Sequence, residues 1–150
     1  MSNDLKCLVK IKKLHSAAQV PHYAHPGDSG ADLFSTVDYT LQPMERATIP
    51  TGLSAEIPKG FELQVRPKSG LALKSGLTVL NTPGTIDFGY RGEIKVILIN
   101  LSSETYEIKT NQKIAQLVVA PVAYAEFSEV AELSDTARGE GGFGSTGLNK

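Results

Sequence analysis

The sequence predicts an all-β fold, a jelly-roll-like sandwich or barrel with one short helical turn. Three observations predict it: apolar residues alternate with polar ones, turn formers recur at short intervals, and few stretches could hold a helix. Eight prolines and fourteen glycines divide the 150 residues into short pieces. Many short strands separated by turns favour a jelly roll or a similar closed sandwich. A chain of this length is expected to form a single domain, residues 1–150.

Strands are predicted in five places. Residues 7–11 and 61–65 alternate with a period of two, and residues 48–57 mix β-branched residues with turn formers. The segments 93–101 (EIKVILINL) and 113–122 (KIAQLVVAPV) are apolar runs rich in Val and Ile. Both are too short for a comfortable buried helix, so they are predicted to be central strands.

One helical turn is predicted over residues 69–74 (SGLALK). Ser69 is expected to cap the Leu-Ala-Leu-Lys run that follows it. Gly76 is expected to end the helix, because glycine adopts the left-handed conformation of a helix C-terminus without strain.

Charge and cysteine content exclude several function classes. Fifteen Lys and Arg residues against 16 Asp and Glu residues give a net charge of −1. No broad basic surface is therefore expected for nucleic acid or for anionic lipid. The single cysteine, Cys7, excludes a disulfide framework and fits a reducing compartment. With no signal peptide and no apolar run of about 20 residues, the protein is expected to be soluble and cytoplasmic.

The segment 138–147 (RGEGGFGSTG) has the composition of a nucleotide-binding lid. It contains five glycines in ten residues, so it cannot contribute to a core. Glycines expose backbone N–H groups that can hold phosphate, Arg138 adds a fixed cation, and Phe143 offers a ring to a base. The prediction is a flexible lid over residues 138–150. A disordered terminus is the alternative.

Three further clusters carry charge among turn formers. Residues 66–70 (RPKSG) combine two cations and a hydroxyl at a predicted strand–helix junction, either as a phosphate clamp or as a solvated turn. Residues 81–93 (NTPGTIDFGYRGE) predict a β-hairpin in which Asp87 is a turn former or a placed base. In residues 26–33 (PGDSGADL), Asp28 and Asp32 either stabilise turns or face Mg²⁺ through its water shell.

These clusters, with residues 113–117 (KIAQL), resemble the five motifs of the trimeric dUTP diphosphatases (dUTPases) in the same order along nearly the whole chain. The resemblance implies hydrolysis of dUTP to dUMP and pyrophosphate, with water attacking the α-phosphorus and Mg²⁺ on the triphosphate. It also implies a homotrimer whose sites are shared between subunits.

The resemblance implies a role for each matching residue. Asp87 would activate the attacking water, Asp32 would reach Mg²⁺ through water, and Tyr90 would lie against the deoxyribose and exclude a 2′-hydroxyl. The remaining roles fall into three groups: phosphate contacts from Lys68, Ser69, Gly70 and Gln116; a uracil pocket from Asn81, Gly84, Thr85, Ile86 and Lys95; and closure by Arg138, Phe143, Gly144, Ser145 and Thr146.

The chain departs from the family pattern at three points. Residues 111–113 (NQK) stand where the fourth motif usually has Gly-Asp-Arg, Gly89 stands where a second Asp is common, and Lys68 replaces an arginine. Two alternatives stay open. A dCTP deaminase would need a glutamate in the base pocket, where this segment has Asp87, and a diverged homologue would bind a nucleotide without catalysis.

Overall fold

The computed structural model describes residues 6–148. In this range the chain forms ten strands and one helix. Their bounds are β1 Lys10–Lys13, β2 Ala31–Phe34, β3 Tyr39–Leu41, β4 Arg46–Glu56, β5 Phe61–Arg66, α1 Ser69–Ser75, β6 Leu77–Val79, β7 Gly84–Ile86, β8 Ile94–Asn100, β9 Tyr106–Ile108 and β10 Lys113–Pro121.

The strands form two four-stranded sheets and one two-stranded sheet. The sheet orders are β1-β4-β8-β6, β2-β10-β5-β7 and β3-β9, and the paired strands run antiparallel. The jelly-roll-like all-β prediction is confirmed. Inward-facing side chains of both large sheets meet in one apolar core, for example Leu33, Ile49, Leu63 and Leu98.

The longer predicted strands agree with the structure. β8 lies between β4 and β6, and β10 lies between β2 and β5, so both are central strands as predicted. On β8 the side chains of Ile94, Val96 and Leu98 are buried and the residues between them are not, because successive residues of a strand face opposite sides. β1 begins at Lys10, three residues later than the predicted strand.

The helix prediction is correct in extent and wrong in its cap. α1 covers Ser69–Ser75, but its N-cap residue is Lys68, which makes no side-chain capping hydrogen bond. Ser69 is therefore the first helical residue and not the cap. Gly76 ends the helix in the left-handed conformation, with φ +64°, and its N–H group bonds to carbonyls of the last turn.

The hairpin predicted over residues 81–93 is wrong. β7 pairs with β5, whereas β8 pairs with β4 and β6. Since both edges of β8 are occupied, β7 has no free partner there, and residues 87–93 cross from one large sheet to the other. This crossing segment is called the β7–β8 loop below.

Residues 123–148 follow β10 without a helix or a strand. Their large apolar side chains are exposed, including Tyr124 (65%), Phe127 (94%), Val130 (57%) and Leu133 (87%). Between Glu126 and Ala137 the sequence repeats an acidic residue at every third position.

Within residues 6–148, no helix has the length and hydropathy needed to cross a membrane.

Candidate active site

Two surface cavities together are lined by eight of the seventeen predicted site residues. The loop cavity, of about 230 Å³, lies between the β7–β8 loop and strands β4 and β8. The Asp32 cavity, of about 320 Å³, lies beside β2 and β10. Within the described part of the chain they share no lining residue. The loop cavity is lined by Thr48, Thr85, Ile86, Asp87, Tyr90, Glu93, Ile94, Lys95 and Ile97, and the Asp32 cavity by Ala24, Asp28, Ser29, Gly30, Asp32, Lys68, Lys113 and Gln116.

A bulge in β4 anchors the β7–β8 loop. The pairing of β4 with β8 shifts register around residues 51 and 52, where the strand carries extra residues. Gly52 adopts φ +68° in this bulge, and its N–H group donates to Oε1 of Glu93 at 2.9 Å. The end of the loop is thus tied to the backbone of a core strand.

Two further hydrogen bonds fasten the same region. The hydroxyl of Thr51 donates to the carbonyl of Ile94 at 2.5 Å, and the hydroxyl of Ser54 donates to the carbonyl of Arg91 at 2.6 Å. The Thr51 hydrogen bond is buried, and the Ser54 hydrogen bond is partly buried. The β7–β8 loop and the start of β8 are thus tied to β4 by side-chain hydrogen bonds.

Tyr90 is held by the loop's own backbone. Its N–H group donates to the carbonyl of Asp87 at 3.0 Å, and its hydroxyl donates to the carbonyl of Glu93 at 3.0 Å. About half of the side chain is exposed, and the ring lines the loop cavity. Asp87 is exposed on the same cavity, together with Lys95, whose Nζ lies 3.6 Å from Oε2 of Glu93.

The predicted uracil pocket is only partly assembled by this chain. Thr85, Ile86 and Lys95 line the loop cavity, and Gly84 is buried in β7 next to them. Asn81 is exposed and does not line the cavity. Its amide nitrogen would lie 3.5 Å from a β-carbon placed on Gly84, so the Asn81 side chain lies near the start of β7.

Asp32 lies between two lysines. It is 3% exposed; its Oδ1 accepts a hydrogen bond from Nζ of Lys68 at 2.5 Å, and its Oδ2 lies 2.7 Å from Nζ of Lys113 in an ion pair. Burial raises the pKa of this carboxyl, but the Lys113 and Lys68 ammonium groups outweigh burial and hold the pKa below its usual value. Asp32 is therefore ionised at neutral pH, and its charge is matched by the two lysines beside it.

The Asp32 cavity fits Mg²⁺ that arrives with a phosphate ligand. Among residues 6–148, no three His, Cys, Asp or Glu side chains form a cluster that could hold a metal. Asp28 serves a turn, since its Oδ2 accepts the N–H group of His25 at 2.9 Å. Oδ2 of Asp32 is buried and faces the Lys113 ammonium at 2.7 Å. A single carboxylate of this kind suits Mg²⁺, which takes its other ligands from water and phosphates.

Gln116 braces the start of the helix. Its Nε2 donates to the carbonyl of Pro67 at 2.9 Å, and its Oε1 lies so close to Gly30 that a β-carbon there would be 2.1 Å away. The predicted phosphate-end residue thus connects β10 to the segment that carries Lys68. Ser69 and Gly70 follow as exposed residues of the first turn of α1.

The described part of the predicted lid contacts neither cavity. Arg138 donates from Nε to the carbonyl of Gly141 at 2.8 Å, and backbone hydrogen bonds join near neighbours up to residue 147. Phe143 is fully exposed with φ +48°. Gly144, Ser145 and Thr146 are exposed as well. Residues 149 and 150 of the predicted lid lie outside the described range.

Several residues of the two cavities were not predicted as site residues. Thr48, Glu93, Ile94 and Ile97 line the loop cavity, Ala24 lines the Asp32 cavity, and Lys113 pairs with Asp32. Thr48 and Ile97 are direct partners in the β4–β8 register, which sequence alone does not specify across a bulge. Lys113 opens the KIAQL segment, and its charge was the available signal.

Known proteins match this chain over nearly its full length. The dUTPase family profile matches residues 16–147. Deoxyuridine 5'-triphosphate nucleotidohydrolase of Nautilia profundicola is 60% identical over 139 residues, covering 93% of this chain and 98% of that protein. The protein of the same name from Clostridium novyi is 56% identical over 138 residues, covering 92% and 97%.

Solved dUTPase structures have a fold similar to that of this chain. The dUTPase of Staphylococcus bacteriophage 80alpha, solved with dUPNHPP, superposes with a TM-score of 0.87 at 30% identity, covering 94% of this chain and 99% of that one. A mutant dUTPase of phage phi11 of S. aureus, solved to describe its structural Mg(II) ion, gives a TM-score of 0.79 at 27% identity, covering 85% and 99%. Profile, sequence identity and fold agree over the segments that form both cavities, and the chain belongs to the dUTPase family.

Proposed function

We propose that this chain is a dUTP diphosphatase that hydrolyses dUTP to dUMP and pyrophosphate, and so limits uracil in DNA and supplies dUMP. The observation that carries the proposal is the loop cavity. It places a carboxylate, an aromatic ring and a cation around one concave space, within a loop fastened to the core. The family membership supports the choice of dUTP as substrate.

Asp87 is the proposed base. Its carboxylate is exposed on the cavity, where it takes a proton from the water that attacks the α-phosphorus. The bond from that phosphorus to the bridging oxygen breaks, and pyrophosphate leaves. No covalent intermediate is needed, because water is itself the nucleophile.

Tyr90 and the strand β7 are proposed to select the nucleoside. Backbone groups of Gly84, Thr85 and Ile86 pair with the edge of uracil, with Asn81 and Lys95 at the margin of the pocket. The Tyr90 ring lies against the deoxyribose, where a 2′-hydroxyl would collide with it. Because the loop is fixed by hydrogen bonds to β4, this selection works by exclusion.

The Asp32 cavity is proposed to take the phosphates. Lys68 and Lys113 turn from Asp32 towards phosphate oxygens, while Ser69 and Gly70 offer donors at the first turn of α1 and Gln116 keeps this segment in place. Asp32 is then free to hold a hydrated cation. Mg²⁺ bound there with the triphosphate would supply neutralisation of the charge that develops on the phosphate oxygens.

We further propose that a complete site is assembled in a homotrimer. The loop cavity, proposed for the nucleoside, and the Asp32 cavity, proposed for the phosphates, share no lining residue within the described chain. Residues 123–137 also expose a row of apolar side chains outside the core. Arg138, Phe143, Gly144, Ser145 and Thr146 would close over the phosphates and base of a neighbouring subunit. Residues 1–150 would then form one domain with residues 138–150 as its lid, acting in the cytoplasm.

The test is direct. The purified protein with Mg²⁺ is given dUTP, UTP, dTTP and dCTP in turn, and pyrophosphate and nucleotide products are measured. We expect equal amounts of dUMP and pyrophosphate from dUTP, and little turnover of the other three. Formation of dUTP from dCTP would instead identify a deaminase, and binding of dUTP without pyrophosphate release would identify a non-enzymatic homologue.

A further inference from the structure

The ring of Tyr90 lies directly on the backbone of Gly92. A β-carbon placed on Gly92 would be 2.4 Å from the Tyr90 hydroxyl oxygen, 2.5 Å from Cζ and 2.9 Å from Cε2. The same hydroxyl donates to the carbonyl of Glu93. The phenol end of the ring is therefore fixed from two directions, by contact with one residue and by a hydrogen bond to the next.

Conformational freedom does not explain the glycine at this position. Gly92 is absent from the positive-φ glycines of the described chain, so its backbone conformation is open to alanine. Gly92 is also exposed, so core packing does not require it. The three atoms nearest to such a β-carbon all belong to the Tyr90 side chain, which could turn away into solvent.

We infer that Gly92 is a specificity-determining positioning residue, because the missing side chain lets the Tyr90 ring lie against the loop as a wall of the sugar site. The inference rests on the proposed role of Tyr90 as the block against a 2′-hydroxyl. A β-carbon at position 92 would push the ring off this seat while leaving Asp87 and the anchors of the loop in place. Discrimination between sugars would then fall more than turnover of dUTP.

The experiment measures kcat/KM for dUTP and for UTP in five proteins: the unmodified chain, Gly92→Ala, Tyr90→Ala, the double variant and Gly89→Ala. Gly89 is the matched control, since it lies in the same loop and a β-carbon there would contact nothing within 4 Å. Thermal unfolding is recorded for each protein to exclude a folding defect.

We expect Gly92→Ala to lower the dUTP:UTP ratio of kcat/KM by about tenfold to a hundredfold, the range in which a misplacement of about 1 Å acts. Gly89→Ala should keep the ratio of the unmodified chain. In the Tyr90→Ala background, Gly92→Ala should cause no further fall, because a residue that acts through the ring has no effect once the ring is gone.

Three results would overturn the inference, and the first two differ in what they say of the proposed function. If Tyr90→Ala lowers the ratio but Gly92→Ala does not, only the role of Gly92 is wrong. If Tyr90→Ala itself leaves the ratio unchanged, both the block by Tyr90 and the role of Gly92 are wrong. A further fall in the double variant would show that Gly92 acts on the substrate directly and would also overturn the inference.

Discussion

Asp87 bears the chemistry of the proposed reaction, and its exposure on the loop cavity makes it accessible to water and substrate. We predict that Asp87→Asn keeps dUTP binding but lowers kcat by about 10² to 10⁴, the usual contribution of a positioned base. Asparagine preserves the shape and cannot accept the proton. Single-turnover rates and binding of an imido analogue of dUTP separate the two effects. Near-normal turnover would remove Asp87 from the mechanism.

Gly52 is required by both conformation and space. It adopts φ +68°, and a β-carbon there would lie 2.9 Å from Cβ of Ala18 and 3.0 Å from Cβ of His15. We predict that Gly52→Ala lowers the free energy of unfolding by about 2–4 kcal/mol, the sum of left-handed strain and overpacking. Urea denaturation measures this loss.

Gly60→Ala is the control for Gly52. Gly60 also has a positive φ, +91°, but nothing lies within 4 Å of its β-carbon position. Gly60→Ala should therefore lower the free energy of unfolding only by the strain of the positive φ, without a contribution from overpacking. Equal losses in the two variants would mean that crowding at Gly52 is relieved without cost.

At the scale of elements, strand length decided how much of the fold could be predicted. β4, β5, β8 and β10 are long enough for their alternation or apolar content to be visible. β2, β3, β6 and β9 have only three or four residues, too few to define a period, and none was predicted as a strand. β7 is equally short and lies within the hairpin that was wrongly predicted. Their positions depend on pairing with longer strands.

Site prediction failed where geometry arises from pairing between distant segments. Asp87 and Tyr90 could be found because they stand in one recognisable segment, residues 81–93, and they line one cavity together with Lys95. The path of the β7–β8 loop from one large sheet to the other could not be predicted, because it depends on both edges of β8 being occupied. The pairing of Lys113 with Asp32 likewise follows from the β2–β10 register.

Gln116 in β10 contacts the segments that precede α1 and β2. We therefore expect substitutions of Gln116 and of Gly30 to affect dUTP binding through the same contact. The Gln116 side chain bonds to Pro67 before α1 and lies across Gly30 before β2. We predict that Gln116→Ala raises KM for dUTP about threefold to tenfold, the equivalent of one hydrogen bond. Gly30→Ala should act similarly, since its β-carbon would displace the Gln116 amide.

The double variant checks that coupling by steady-state kinetics. If both changes act by releasing the segment that carries Lys68, the double variant should show little more than either single effect. Effects that multiply would mean that Gly30 and Gln116 act independently.

At the scale of the whole molecule, separate cavities predict rescue between defective chains. Consider one chain with Asp87→Asn and an intact lid, and a second chain with Asp87 that lacks residues 138–150. In randomly assembled 1:1 trimers, about a quarter of sites should be complete if base and lid come from different subunits. Pyrophosphate release from dUTP should then reappear only after the two chains are unfolded and refolded together.

The same mixture of chains also tests the alternative that each lid closes over the site of its own chain. A lid that folds over Asp87 of its own chain leaves every mixed trimer without a complete site. Verified mixed trimers with no more activity than the separate homotrimers would therefore exclude a lid delivered between subunits.

The exposed apolar side chains of residues 123–137 also bear on the lifetime of a chain that finds no partner. Phe127 and Leu133 face solvent on a segment without regular structure, which is the kind of sequence that proteases cleave and chaperones bind. In the proposed trimer the same segment would be covered by a neighbour. Unassembled copies would then be removed by cellular quality control, and the ratio of intact enzyme to orphan chains would be kept high without a separate regulator.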